Sequence, residues 1–266
     1  MTEIPKLIRD PYAIYAKHVL RLKPVDPLLQ EPDALLRGTI IHKILEDFIK
    51  SAQEQPETLT ARAFIEQSQR TLEAEVPWPV ARTLWLTRLK KVAEDFVSGE
   101  RERQLRARPS GFEKSGQVRL DPLDFEIAAK ADRIDVDERG MLHLYDYKTG
   151  DPPSEKQQKS FEKQLLIETA MAEQGAFEDY GPARVERSLY IGLKPPVKEV
   201  AAPILDEPPA KVWEELRSLI EAYFDAEQGY SSRRMVHRDD FAGDYDHLAR
   251  YGEWDRSSDP VPEDLT

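Results

Sequence analysis

The sequence contains no cysteine, which removes disulfides, thiolate metal sites, cysteine nucleophiles and cysteine-ligated iron–sulfur clusters together. No apolar run approaches the roughly 20 residues needed to span a bilayer, and the start lacks a secretory h-region, so a soluble, cytoplasmic protein is expected. There is no G-x-x-x-x-G-K-[ST] stretch, hence no P-loop for ATP. Bases are outnumbered, 38 Lys and Arg against 50 Asp and Glu, for a net charge of −12. Taken alone, that balance argues against a nucleic-acid partner. The chain is nonetheless built to fold. Its 266 residues suit one large domain or two small ones, and 9% aromatics is too many for a disordered protein.

The first half has helical spacing. Asp10 to Leu22 carries Tyr12, Tyr15, Val19 and Leu22 on one side, with Pro24 and Pro27 to end it. Asp33 can cap a helix whose apolar stripe is Leu36, Ile40, Ile41, Ile44, Leu45, Phe48 and Ile49. Further helices are expected over about 59–75 and 80–106, closed by Pro109, Ser110 and Gly111. The period then shortens. Gln117 to Leu120, Phe125 to Val136 and Met141 to Tyr147 read as strands of a meander with tight turns. Ser154 to Gln157 fits a capping box opening another helix, and a strand over 184–193 and a helix over 208–228 follow. This order predicts an α/β core, residues 111–230, with a helical N-terminal elaboration over 1–110 and a C-terminal segment over 231–266 that ends in a loose tail from Gly252. The three parts are expected to form one integrated domain.

The chemistry concentrates around Asp146-Tyr147-Lys148. Strand alternation puts Leu142, Leu144, Asp146 and Lys148 on one face of a strand apolar enough to be central. A carboxylate and an ammonium there are costly unless paired, metal-bound or set at the strand's open end. Asp132, one short turn away in sequence, can bring a second carboxylate beside Asp146. Two carboxylates and a backbone carbonyl make a hard oxygen site suited to Mg²⁺ or Mn²⁺, and a lysine beside it could serve a phosphoryl transition state. A purely structural Asp146–Lys148 or Asp132–Arg133 ion pair explains the same spacing. His42 flanks the helical stripe one turn from Glu46, and Gly38 permits close packing against another element, so His42 could reach an ion on a neighbouring sheet. Gln164 follows on the next helix, a position that is ordinarily solvent-facing. Lys148-Thr149-Gly150 and Ser160-Phe161-Glu162-Lys163 imitate penicillin-binding elements, but in reversed order and with no S-D-N between them.

In this order the residues resemble the RecB-like branch of the PD-(D/E)XK nuclease superfamily. Gly38 to Glu46 is similar to its G-x-x-x-H-x-x-L-E helix, Asp132 to its first acidic residue, Asp146-Tyr147-Lys148 to its D-Y-K, and Gln164 to its glutamine helix. Arg9 to Leu22 and Gly243 to Arg250 resemble the flanks of the C-terminal nuclease domains of AddB-type helicase–nuclease subunits, which process double-strand breaks. The resemblance implies a restriction-endonuclease-like core of mixed sheet and flanking helices. It implies metal ligation by His42, Asp132, Asp146 and the Tyr147 carbonyl, with Lys148 as the catalytic lysine and Gln164 as a helper near the scissile phosphate. Mg²⁺ or Mn²⁺, a DNA strand and a helicase partner subunit are the implied cofactor and partners. The implied activity is exonuclease-like DNA hydrolysis, and the alternative is a module of the same fold that binds DNA or a partner without cutting. Two departures stand out. The four-cysteine iron–sulfur staple common in such domains is excluded, and Glu168 takes the place of the usual tyrosine four residues after the glutamine.

The −12 is also uneven. From Val80 to Arg108 there are eight bases against four acids, and Lys156, Lys159 and Lys163 line the helix after the site. DNA contact is therefore expected to be weak, salt-sensitive and confined to a local groove.

Overall fold

The computed structural model describes residues 3–24, 31–232, 243–255, 257–259 and 261. Two short helices, α1 (Ile4–Arg9) and α2 (Pro11–Ile14), run into a π turn at Tyr15–Val19. Of the two prolines expected to end this segment, Pro27 lies outside the described residues. Then come α3 (Ala34–Glu54), α4 (Ala61–Glu75) and α5 (Pro79–Gln104). As expected, Asp33 caps α3 by accepting the Leu36 amide at 2.7 Å. The remainder is β1 (Arg108–Arg119), β2 (Glu126–Val136), β3 (Leu142–Lys148), α6 (Glu155–Ser160), α7 (Gln164–Glu173), β4 (Val185–Gly192), β5 (Lys198–Ala201) and α8 (Pro209–Ala222).

Among the described residues the strands form one mixed sheet in the order β1-β2-β3-β4-β5. Neighbours are antiparallel except β3 and β4, which run parallel because α6 and α7 form the crossover between them. Alternation along β3 gives the sheet two apolar faces. Leu142 and Leu144 pack with Leu165, Met171, Val212 and Leu216 of α7 and α8. Tyr145 and Tyr147 point the other way, into Ile44, Phe48, Phe64 and Phe96 of α3, α4 and α5. This is the expected α/β core with a helical N-terminal layer.

The structure differs from the sequence expectation in three places. Pro109, Ser110 and Gly111 do not close a helix but open β1, nine residues before the expected strand start at Gln117. An edge strand tolerates a proline that cannot donate to a ladder, and the register shift between Pro109 and Gly111 absorbs the irregularity. β5 is an additional, short edge strand. The helix opened by Ser154 stops at Phe161, and α7 restarts at Gln164. The capping box itself forms: the Ser154 hydroxyl accepts the Gln157 amide and Gln157 Oε1 accepts the Ser154 amide at 2.8 Å. Ser154→Ala should cost about 1 kcal/mol, read as a fall in Tm of about 2–4 °C. An unchanged Tm would show the cap to be dispensable.

The α5-facing side of β2 and β3 holds a buried ionic network. The Arg133 guanidinium is 0% exposed and donates to both Glu100 oxygens at 2.7 and 2.9 Å, both Asp135 oxygens at 2.6 and 2.7 Å and the Tyr147 hydroxyl at 3.1 Å. Arg103 extends it from Glu100, at 3.0 Å, to Glu199 of β5. Burial pushes the Asp135 carboxyl up to about 6 despite Arg133 beside it.

The two ends of the chain also meet. Tyr245 packs on Ala13 and Ala16, and its hydroxyl donates to the Leu22 carbonyl at 2.8 Å. Packing thus joins the flanks. At the C-terminus, the Trp254 indole donates to the Ala249 carbonyl at 2.8 Å; the rest of the expected tail, residues 256, 260 and 262–266, lies outside the described residues. No helix among the described residues is long and apolar enough to cross a membrane.

Candidate active site

The β2–β3 ladder ends at Arg133 opposite Tyr145. Beyond it the Tyr147 amide donates to the Asp132 side chain at 2.8 Å instead of to the neighbouring strand. That bond draws Asp132 toward the C-terminal end of β3, where Asp146 and Lys148 lie on the α7-facing side. Such strand ends, beside a parallel crossover, are where open α/β sheets present their ligand-binding groups.

His42 reaches this point from α3. Its Nε2–H donates to the Tyr147 carbonyl at 3.0 Å, and its Nδ1 lies 3.5 Å from both Glu113 Oε1 and Asp132 Oδ1. One ring nitrogen anchored on a carbonyl and the other turned toward carboxylates is how a neutral metal-ligating histidine is held. Burial works to lower the imidazole pKa, but the Glu113 hydrogen bond and the Asp132 charge outweigh it and raise it to about 9. The ligand atoms of His42, Glu113 and Asp132 all lie within 4.8 Å of one another.

Glu113 was not legible as a site residue. It sits on the part of β1 that reads as a loop, at φ 48°, and its flanks Phe112 and Lys114 pair with Arg133 and Ala131, which sets it opposite Asp132. Like charges facing across two strands are destabilising unless a cation lies between or beside them. Here His42 and Lys130 serve, and hold the Glu113 carboxyl down to about 2.

On the other side, Lys148 Nζ is 2.8 Å from Asp146 Oδ2 and 3.5 Å from Gln164 Oε1, and lies 5.3 Å from the Tyr190 ring centre. Burial opposes its charge, yet Asp146 raises its pKa. Gln164 donates through Nε2 to Asp146 Oδ1 at 2.9 Å and to Glu168 Oε1 at 3.3 Å. It faces inward, against the usual habit of helical glutamine, because the break at Phe161–Lys163 makes it the first residue of α7. Burial and then the Asp146 charge push Asp132 up to about 7, and burial likewise raises Asp146 and Glu168. Carboxyls that raise one another mark a site with more negative charge than its own bases balance. One imidazole and several carboxylates are a donor set that fits a divalent cation.

The sequence-predicted residues His42, Asp132, Asp146, Tyr147, Lys148 and Gln164 therefore lie about one strand end. Of the two acids expected to share an ion, Asp132 groups with His42 and Glu113, whereas the Asp146 oxygens face Lys148 and Gln164 outside that group. Of the two ion pairs offered as the alternative to a metal site, Asp146–Lys148 forms and the other does not. Asp132 does not pair with Arg133, which points to the opposite face and is saturated by Glu100 and Asp135. The expected close packing at Gly38 is not made: nothing lies within 4 Å of a would-be Cβ there. Glu46, one turn from His42, pairs with Lys50 at 2.6 Å. The basic patches shrink as well: Lys159 is paired with Glu155 and Asp206, Lys163 with Glu215, and Arg103 is buried in the ionic network. Arg88, Lys90, Lys91, Arg101, Arg106, Arg108 and Lys156 remain exposed, Arg106 beside Glu102 at 3.6 Å.

Known proteins share parts of this sequence. Uncharacterized proteins of Rickettsia bellii and Rickettsia conorii are 29% and 30% identical over 180 and 184 residues, in each case 66% of this chain and 22% of the relative. The chain thus spans less than a quarter of the curated relatives it matches. The crystal structure of SSO0001 aligns with 74% of this chain and 90% of its own at 15% identity and a TM-score of 0.30. The sequence profile described as PD-(D/E)XK nuclease superfamily matches residues 1–240, and the chain belongs to that superfamily.

Proposed function

We propose that this chain is a divalent-metal-dependent DNA nuclease module that hydrolyses phosphodiester bonds. The observation that carries this reading is the meeting of His42 Nδ1, Glu113 and Asp132 within 4.8 Å, with Asp146 and Lys148 on the adjoining strand. His42, Glu113, Asp132, Asp146 and the second lone pair of the Tyr147 carbonyl would hold the ion, and Mg²⁺ or Mn²⁺ suits so oxygen-rich a set. Bound there, it would supply Lewis-acid polarisation of the phosphate and an activated water.

The side chains divide the remaining work. Asp146 keeps the Lys148 ammonium charged, where it can offset negative charge building on the phosphate. Gln164 holds both Asp146 and Lys148 by opposite ends of one carboxamide. The Tyr147 carbonyl fixes the His42 ring, so that Nδ1 is the nitrogen offered to an ion.

The flanks similar to AddB-type domains support a finer assignment. On it, the chain is a cysteine-free, exonuclease-like nuclease module acting in the cytoplasm in double-strand break repair. A helicase partner subunit would deliver a single strand to the site. We read residues 1–110, 111–230 and 231–266 as one integrated domain.

The test is degradation of linear DNA with Mg²⁺ or Mn²⁺ by the wild type and Asp146→Ala, with a chelator control. Cleavage by the wild type, lost in the variant and with chelator, is expected. Equal cleavage by both proteins overturns the site, and DNA binding without cleavage by the wild type favours the non-cutting module.

A further inference from the structure

A carboxamide is nearly symmetrical in shape, and its two ends are chemically opposite. Which way round Gln164 sits therefore decides whether a donor or an acceptor faces Lys148. In the structure both N–H groups of Nε2 are spent on carboxylates, Asp146 Oδ1 at 2.9 Å and Glu168 Oε1 at 3.3 Å, and Oε1 is left toward Lys148 Nζ at 3.5 Å. Asp146 is shared with Lys148. Among the described residues Glu168 has no ion-pair partner; it is 2% exposed and lies one turn along α7 from Gln164. A buried carboxyl is costly, and an apolar residue would fill this core-facing position of α7 more cheaply.

We propose that Glu168 is a positioning residue: its Oε1 locks the Gln164 carboxamide with nitrogen toward the carboxylates and oxygen toward the Lys148 ammonium. Reversing the amide would set Oε1 against two carboxyl groups and Nε2 against an ammonium. What matters in this role is an acceptor at the end of a side chain of this length. Glu168→Gln keeps that acceptor, whereas Glu168→Met and Glu168→Leu remove it.

The catalytic half of the test rests on the nuclease reading; the spectroscopic half does not. In the full chain, the Gln164 side-chain N–H₂ resonances, assigned with Gln164→Ala, should be shifted and slow to exchange in the wild type and in Glu168→Gln. In Glu168→Met one of the two N–H resonances should move toward that of a free amide and exchange faster, the bond to Asp146 alone being left. On linear DNA with Mg²⁺, Glu168→Met should lose about tenfold in kcat with KM unchanged, and Glu168→Gln should stay within about threefold of the wild type, since a helper one hydrogen bond removed is worth about 1.4 kcal/mol. Removing a buried carboxyl should raise Tm or leave it unchanged, and Glu168→Leu repeats the comparison should the methionine variant not fold. Unchanged amide resonances in Glu168→Met overturn the proposal. A wild type that does not cut DNA overturns the nuclease reading, and the resonances still decide the role of Glu168.

Discussion

Lys148→Ala is expected to lower DNA cleavage by on the order of 10²–10³-fold, the loss typical when one preorganised charge-stabilising donor is removed. The argument is geometric. The ammonium is held by Asp146 at 2.8 Å, faces Gln164 and stands over the Tyr190 ring, and among the described residues no other lysine or arginine pairs with Asp146. Lys148→Arg should not restore the rate, because a planar guanidinium cannot stand in for a point charge set between Asp146 Oδ2 and Gln164 Oε1. The fold should survive, since Asp146, already raised by burial, can take up a proton when its partner goes. The check is single-turnover cleavage of linear DNA alongside a Tm for each variant. Cleavage within about threefold of the wild type at unchanged Tm would remove Lys148 from the chemistry.

Arg133→Met should have the largest effect on stability, about 3–5 kcal/mol. That corresponds to a fall in Tm of about 6–20 °C for a chain of this size. The substitution conserves volume but strands Glu100 and Asp135, each 0% exposed, with one guanidinium fewer between them. Glu100→Gln should cost less, because the amide can still accept from Arg133. Replacing Arg133, Glu100 and Asp135 together by apolar residues should return much of the loss, since a buried ion network is expensive to break and cheap to omit. Urea and thermal unfolding of the three proteins distinguish these outcomes. An Arg133→Met protein as stable as the wild type would show that the network contributes nothing.

Much of the site was legible because its residues are local. Asp146, Tyr147 and Lys148 sit on one strand, Asp132 lies on the strand joined to it by a tight turn, and the strand's apolar faces placed it centrally. Glu113 was hidden for a physical reason. Pro109, Ser110 and Gly111 look like a breaker, and only an edge position lets a strand run through them, which no local pattern announces. Had β1 been extended back to Phe112, its pairing with β2 would have put Glu113 across from Asp132. β5 was missed because four mostly exposed residues carry no alternation to read. Gln164 turns inward because of a helix break three residues earlier, and Arg133 chooses Glu100, 33 positions away in sequence, over its neighbour Asp132. Contacts of that range depend on how helices lie on the sheet, and a single sequence is silent on that.

The contact between Tyr245 and Leu22 joins positions 223 residues apart. Closing a loop of that length costs about 5 kcal/mol in chain entropy, several times what one hydrogen bond contributes. Such a contact cannot draw the chain together. It is formed only once the sheet has already carried both strands of backbone to the same corner, and so it is a late seal rather than a nucleus. Being so little repaid, it is a place where the fold can open first, and the opening would be felt through Arg9, which pairs with Glu162 at 3.1 Å, two residues before Gln164.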